Sequence, residues 1–225
     1  MRRRDDTITH AMEDYLKTIY SLQAETEVVT TQQIAERLNV QSPSVTNMIK
    51  RLAELNLVEH TPYRGVVLTP SGKKAALEVL RHHRLLELYL AEALGYSWDE
   101  VHEEADRLEH SISEELEARI DRALGYPTTD PHGHPIPTPE GEIEQSADVH
   151  LGELEVGEVA VVNRVCDRDP EKLRYLGALG LYPAAEVEVL ERYPFDGPIR
   201  ISLGGTEHIL GRELAQSVHV TRSRR

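Results

Sequence analysis

Residues 30–69 decide the fold, and they read TTQQIAERLNVQSPSVTNMIKRLAELNLVEHTPYRGVVLT. Thr30 or Thr31 can cap a short helix with the apolar face Ile34, Ala35 and Leu38, which ends at Asn39–Val40. A second helix is expected with Ser42 as its capping residue and Pro43 at the first helical position, and its expected buried face is Val45, Met48, Ile49, Leu52 and Leu55. The remainder alternates around an Arg64–Gly65 turn, as a two-stranded wing does. This order predicts a winged helix-turn-helix.

The second helix carries short polar side chains at its start, where a recognition helix contacts base edges of double-stranded DNA. The candidates for base or phosphate contact are Gln41, Ser42, Pro43, Ser44, Thr46 and Asn47. The cations expected on the phosphate backbone are Lys50, Arg51 and Arg64. Helix pairs of this kind also occur as plain packing units. Here the capped first helix, the Ser-Pro start and the wing occur together, which favours DNA binding.

The charge distribution is compatible with a DNA partner despite a formal net charge of −14 over 225 residues. Residues 1–74 are near neutral at +1, whereas residues 75–126 carry −8, residues 127–150 carry −5 and residues 151–225 carry −2. Phosphate contacts need local lysine and arginine rather than a basic whole protein. The net negative charge therefore lies outside the predicted DNA-reading part.

Composition and cysteine content bound the class of protein. The length suits one or two domains with real cores. No apolar run approaches the roughly 20 residues that cross a bilayer, and the start, MRRRDDTITHAMEDYL, lacks the apolar part of a secretory signal. A single cysteine, Cys166, favours a reducing compartment. We expect a cytoplasmic protein with no membrane partner.

Residues 83–110, HRLLELYLAEALGYSWDEVHEEADRLEH, combine histidines and carboxylates at helical spacing. His83 and Glu87 are four apart, and so are His102, Asp106 and His110, so each set would share a helix face. Imidazole and carboxylate donors suit Mn(II), Fe(II), Co(II) or Zn(II). Charged stripes are usually solvated acidic faces, and that reading is the alternative.

The rest of the chain predicts helices followed by a small barrel. Helices are expected from Pro70 to about Leu94 and from Trp98, capped by Ser97, to about Leu124. Residues 126–147 hold five prolines and predict a linker or a long ordered arm. Short strands after about Asp148, interrupted by one helix, predict a small barrel. The expected domains are 1–74, 75–147 and 148–225.

The chain resembles a known family, the metal-dependent repressors of the diphtheria toxin repressor and manganese transport regulator type. The matching segments are MEDYLKTIY, IAERLNV, SPSVTNMIKRL, YRGVVLTPSGKKAAL, HHRLLELYL, VHEEADRLEH and HGHPIP. The run EKLRYLGALGLYPAAEVEVLER resembles the SH3-like domain of ferrous-iron-transport A type. The resemblance implies a mainly helical fold with three parts: a winged helix-turn-helix, a helical metal-binding and dimerisation domain, and a C-terminal SH3-like barrel.

The same resemblance implies two metal sites. The primary site would use Asp14, Asp106, Glu109 and His110. The ancillary site would use His83, Glu87 and His102, closed by Asp169 or Glu171 from the barrel. The segment with His132 and His134 serves the family as a structural arm, so no metal role is expected for that pair.

Departures from the family pattern indicate the metal. Iron-type members have methionine where this chain has Asp14 and cysteine where it has Asp106, and two carboxylates favour a hard ion such as Mn(II). Short manganese-type members have a glutamate in place of Lys17 that helps hold a paired cluster, so two separated sites are expected here. Lys172 replaces a glutamine ligand of iron-type members. Fe(II) is the alternative, and Zn(II), Co(II) or Cd(II) are expected to occupy the sites in vitro.

These expectations combine into a homodimeric, metal-activated repressor that is not an enzyme and binds a palindromic operator of metal-uptake genes. Metal would link the first helix, through Asp14, to the helical core. One rival is a helix-bundle metalloenzyme, but the chain has no repeated Glu-x-x-His pair of the kind such bundles use. Another is a repressor that responds to an organic ligand.

Overall fold

The structure is a computed structural model that describes residues 8–24, 26–61, 64–144 and 147–223. The described chain divides into two compact units. The first contains the residues up to His82 together with Glu109–Ile112 and Pro137–Glu142. The second contains His83–Leu108, Ser113–Ile136 and the residues from Ile143 onward. The three-way division expected from the sequence stays a prediction.

The first unit is built on a winged helix-turn-helix, as predicted. Its elements are α1 (His10–Gln23), α2 (Thr31–Leu38), α3 (Ser42–Glu54), β1 (Val58–Thr61) and β2 (Gly65–Leu68). Thr30 caps α2 in a reciprocal arrangement. Its hydroxyl accepts from the backbone N–H of Gln33 at 3.2 Å, and its own backbone N–H donates to Oε1 of the Gln33 side chain at 2.8 Å. Asn39, with a left-handed φ of 51°, ends α2.

The start of α3 differs from the prediction by one residue. Gln41 takes the cap position and Ser42 the first helical position, with Pro43 in the first turn. Proline fits there because its missing N–H would have no helical partner. The helix is held by Val45, Ile49 and Leu52, all fully buried.

The wing is a single antiparallel hairpin in which Val58 pairs with Leu68 and Thr61 with Gly65. Gly65 has a φ of 128°, and a Cβ there would lie 2.6 Å from the Val29 carbonyl oxygen. Only glycine fits this close approach. The core beneath the hairpin joins α1 to the reading helices through Leu16, Ile19, Ile34, Ile49 and Val66.

Helix α4 runs from Pro70 to Leu94, as predicted. The prediction of one helix from Trp98 to about Leu124 is wrong, because the segment forms α5 (Val101–Leu108) and α6 (Glu114–Ala123). Ser113 starts α6 by accepting the Leu116 amide at 3.2 Å, and Ile112 beside it is buried. His110 therefore lies in the turn after α5, and it does not share a helix face with His102 and Asp106.

The second unit contains the predicted barrel domain. Its elements are β3 (Val149–His150), a 3₁₀ turn (Leu151–Glu153), β4 (Val159–Val165), α7 (Pro170–Leu179), β5 (Glu186–Arg192), β6 (Ile199–Leu203), β7 (Thr206–Leu210), α8 (Arg212–Ser217) and β8 (Val218–Arg222). The strands form one antiparallel sheet in the order β3-β8-β4-β5-β6-β7. Its core includes Val162, Leu173, Val189 and Ile201, all essentially buried.

The proline-rich segment is an ordered arm where the structure describes it. The His132 carbonyl accepts the Val165 amide at 2.9 Å, which fastens the arm to β4. Gly133 has a φ of 87°, and a Cβ there would lie 1.9 Å from the Asn163 carbonyl oxygen. Any side chain would therefore push the arm away from the strand. None of the helices among the described residues has the length and hydrophobicity of a membrane span.

Candidate metal centres and nucleic-acid interface

The start of α3 and the wing present the predicted DNA-contacting residues to solvent. Gln41, Ser42, Pro43, Ser44, Asn47, Lys50, Arg51 and Arg64 are exposed, and Thr46 is half-buried. The Thr46 hydroxyl donates to the Ser42 carbonyl at 3.1 Å, so its methyl group is the free end. The opposite face of α3 is fully buried. The exposed side therefore matches a recognition helix whose first turns meet base edges.

Three predicted ligands converge in the first unit. Asp14, Glu109 and His110 each offer one ligand atom, and these atoms lie within 4.8 Å of one another. We call this set the primary cluster. His110 Nε2 lies 2.8 Å from Asp14 Oδ1 and 3.4 Å from Glu109 Oε1. The cluster joins helix α1 to the turn after α5.

Two residues that the sequence analysis did not assign as ligands also contact this cluster. Glu13 Oε2 lies 2.7 Å from His110 Nδ1, and Lys17 Nζ donates to both oxygens of Glu109 at 2.7 and 2.9 Å. Hydrogen bonds to Asp14 and Glu13 raise the pKa of His110 to about 9. At neutral pH the imidazole is therefore charged, and both of its nitrogens donate to carboxylates.

A second set of ligands lies in the second unit, and we call it the ancillary cluster: His83, Glu87, His102 and Asp106. Glu87 Oε1 lies 2.9 Å from His83 Nε2 and 3.0 Å from His102 Nδ1. Asp106, predicted for the primary site, places its carboxylate 3.2 Å from His83 Nδ1 and 3.8 Å from His102 Nε2. The break in the helix after Leu108 explains this regrouping, because Glu109 and His110 leave the face that Asp106 occupies.

A third set, the arm cluster, was not expected: Glu87, Asp130, His132, His134 and Asp167. The ligand atoms of Asp130, His132 and His134 lie within 4.8 Å of one another, and so do those of Glu87, His132 and Asp167. Glu87 belongs to two clusters because its second oxygen, Oε2, lies 3.8 Å from His132 Nδ1. His134 Nδ1 lies 3.4 Å from Asp130 Oδ2 and 3.5 Å from Asp167 Oδ2.

The arm cluster is strongly charged and deeply buried. Burial favours the neutral acid of Glu87, but the imidazoles of His83, His102 and His132 hold its pKa well below the usual value. His132 is fully buried, yet its contacts with Glu87 raise its pKa to about 9. Burial likewise opposes the ionisation of Asp167, and the charge of His134 lowers its pKa overall.

The barrel residues predicted to close the ancillary site have other roles in the structure. Asp169 Oδ1 caps helix α7 by accepting the Glu171 and Lys172 amides at 2.9 and 3.2 Å. Glu171 is exposed on the first turn of α7. Lys172, whose role the sequence left open, forms an ion pair with Glu213. Among the described residues, the barrel carboxylate that reaches the ligand sets is Asp167.

Trp98 contacts the arm cluster through His132. His132 Nε2 lies 2.6 Å from the Trp98 carbonyl oxygen, so this nitrogen is the donor. The ring centroids of Trp98 and His132 are 5.7 Å apart, and Trp98 also lies 4.6 Å from Tyr182 of the barrel. Since Nε2 is engaged, Nδ1 is the nitrogen of His132 that faces the carboxylates.

The donor sets fit divalent cations. Within the described residues, four buried atoms of the arm cluster lack a hydrogen-bond partner: Glu87 Oε2, Asp130 Oδ2, His132 Nδ1 and His134 Nδ1. Buried polar atoms normally have hydrogen-bond partners, and these four orphan atoms lie 3.4–3.8 Å from charged neighbours, an arrangement that fits a shared cation. Oxygen and imidazole nitrogen are the donors that first-row divalent metals take.

Comparison with known protein families covers nearly the whole chain. Residues 7–66 match the model of the iron-dependent repressor N-terminal DNA-binding domain. Residues 69–138 match that of the iron-dependent repressor metal-binding and dimerisation domain. Residues 149–222 match the FeoA domain.

Individual relatives agree with these matches. The iron-dependent repressor IdeR of Mycobacterium tuberculosis is 37% identical over 221 residues, which covers 92% of this chain and 95% of the relative. The diphtheria toxin repressor of Corynebacterium diphtheriae is 30% identical over 218 residues, with 92% and 95% covered. A solved manganese-dependent transcriptional repressor in complex with manganese is 40% identical, with a TM-score of 0.89 and coverage of 94% and 100%. The chain therefore belongs to the iron-dependent repressor family, whose members, the diphtheria toxin repressor among them, are metal-dependent DNA-binding transcriptional repressors rather than enzymes.

Proposed function

We propose that this repressor responds to Mn(II), acts as a homodimer and binds a palindromic operator that controls metal-uptake genes. One observation carries the proposal. Helix α1, part of the DNA-reading fold, places Asp14 2.8 Å from His110 and within the same cluster as Glu109. The cluster that fits a metal is thus part of the unit that reads DNA.

The donor types support manganese. The primary cluster contains carboxylate and imidazole donors, and its members carry no sulfur. Met12, two residues before Asp14, is 1% exposed in the hydrophobic core and is not a member of the cluster. Mn(II) has the lowest intrinsic affinity of the divalent series, so a site favours it through the type of its ligands and not through raw affinity. Hard oxygen donors such as carboxylates suit this ion. The solved manganese-dependent relative agrees with this choice.

The chain's own residues explain how such a cluster would control DNA binding. Asp14 lies on α1, and the buried Leu16 and Ile19 of the same helix pack with Ile34 of α2. The position of the Asp14 carboxylate is therefore linked to the position of the reading helices. A divalent cation held by Asp14, Glu109 and His110 would supply positive charge in place of the His110 proton. In a dimer this link would set the separation of two recognition helices, about 34 Å for successive major grooves.

We also propose a second metal location in the second unit. His83, Glu87, His102 and Asp106 would form one ligand set, and Asp130, His132, His134 and Asp167 would extend it from the other oxygen of Glu87. Asp167 takes the place that the sequence analysis gave to Asp169 or Glu171. The four buried orphan atoms support this assignment.

The test is operator binding by chelator-stripped protein, followed by fluorescence anisotropy at one fixed salt concentration. Mn(II) should tighten binding by about 1–3 kcal/mol, the usual range of allosteric coupling. Fe(II) is titrated in parallel under anaerobic conditions, and a stronger response to Fe(II) would replace manganese in the proposal. Equal affinity in chelator and in Mn(II) would refute metal control in this chain. Light scattering of the DNA-bound form gives the number of subunits.

A further inference from the structure

Lys17 lies one helical turn after Asp14 on α1 and engages the buried ligand candidate Glu109. Its Nζ donates to both carboxylate oxygens, at 2.7 and 2.9 Å. The side chain of Lys17 is only 18% exposed and that of Glu109 only 1%. The contact is largely shielded from solvent, so loss of either partner leaves the other charge buried without compensation.

The charges of the cluster show why this contact matters. Three carboxylates, Glu13, Asp14 and Glu109, meet two cationic side chains, His110 and Lys17. A buried carboxylate without a cation is costly, so Lys17 stabilises Glu109 when no metal is bound. An ammonium has three donors and no lone pair, so it cannot become a ligand. Its charge instead opposes any second cation brought to the same carboxylate.

We propose that Lys17 is an internal competitor for the primary cluster, which holds Glu109 in the metal-free protein and thereby sets the metal concentration at which the repressor responds. The inference rests on the proposed role of Glu109 as a metal ligand. The rival is pre-organisation, in which the Lys17–Glu109 contact ties α1 to the turn at residues 109–112 and holds the site ready for the metal. The two effects predict opposite signs for removal of the lysine charge.

The decisive variant is Lys17→Met, which keeps most of the aliphatic stem and removes the ammonium. Mn(II) affinity is measured directly, by competition with a fluorescent chelator and by calorimetry on the full-length protein. The Glu109→Gln variant identifies the part of Mn(II) binding that belongs to the primary cluster. The matched control is Lys74→Met, which removes one charge from an exposed lysine of α4 in the same unit.

Competition predicts that Lys17→Met tightens the Glu109-dependent binding by about tenfold or more, while Lys74→Met changes it by less than about twofold. The Mn(II) concentration for half-maximal operator binding should fall by the same factor. Unchanged or weaker binding by Lys17→Met, with a wild-type circular dichroism spectrum, overturns the proposal. If Lys17→Met does not fold, Lys17→Gln carries the same expectation. If Glu109→Gln removes no Mn(II) binding, the site assignment itself has failed, and that result is distinct from an unchanged Lys17 variant.

Discussion

Mn(II) binding at the primary cluster should strengthen by about thirtyfold as the pH rises from about 6.0 to about 7.5. The reason is the proton on His110. Both of its ring nitrogens contact carboxylates, Glu13 at 2.7 Å and Asp14 at 2.8 Å, and these contacts raise its pKa to about 9. A metal ligand must be a neutral imidazole, so each ion bound displaces one proton.

The magnitude follows from the distance between the working pH and that pKa. Below about pH 9 the neutral form of His110 falls about tenfold for each pH unit, and apparent affinity falls with it. A rise of about 1.5 pH units therefore strengthens the apparent Mn(II) affinity by about thirtyfold. The stability of the metal-free protein should change in the opposite direction. A raised pKa gives stability that is fully present below the unfolded value of about 6.5 and is lost as the pH rises through about 9.

The assay is calorimetric titration in buffers of different ionisation enthalpy, which counts the protons released per ion. The Glu87→Gln variant lacks the carboxylate that the ancillary and arm clusters share. The Mn(II) binding that this variant retains is therefore assigned to the primary cluster. The expected release there is about one proton near pH 7. Proton release near zero, or an Mn(II) affinity that is flat across this pH range, would refute the assignment of His110 as the source of the released proton. Chemical denaturation of the metal-free protein at the same pH values tests the opposite trend in stability.

The remaining predictions concern coupling, DNA contact and the core. Asp14→Ala should leave operator affinity near its metal-free level at saturating Mn(II), and a full response by anisotropy would disprove the α1 link. Asn47→Ala should weaken specific binding by about 1–3 kcal/mol if the exposed amide contacts a base, whereas Lys50→Ala should weaken all sequences alike and lower the salt slope by about one. Ile49→Ala, at a fully buried position, should cost about 2–5 kcal/mol in the free energy of unfolding, whereas Asn47→Ala should melt like wild type.

Local signals made the DNA-reading fold predictable. The Thr30 cap, the Ser42–Pro43 start and the glycine of the wing each act within a few residues of where they stand in the chain. Helix α4 was placed correctly at both ends for a similar reason, since Pro70 opens it and Gly95 follows it. Such signals need no knowledge of distant contacts.

The ligand groupings could not be read from spacing alone. No proline or glycine marks the break after Leu108, and the i+4 pattern continues through it, so Asp106 and His110 were expected on one face. The break depends on the Ser113 cap and on burial of Ile112. Asp167 lies 80 positions after Glu87, and the attachment of the arm to β4 brings them together. The one local hint was Gly133, which marks the close approach of the arm to that strand.

The contact between His132 and Trp98 gives the protein an optical signal of its own. Trp98 is the only tryptophan in the chain, and its carbonyl accepts from an imidazole whose pKa is about 9. A protonated imidazole beside an indole quenches its emission, so the metal-free protein should fluoresce weakly at neutral pH. Loss of the His132 proton on metal binding should brighten Trp98, and Asp130→Asn, which removes a charge from the same cluster, should weaken that response. Stopped-flow mixing with Mn(II) would then time the filling of the arm cluster without any label, separately from the operator signal that reports the DNA-reading unit.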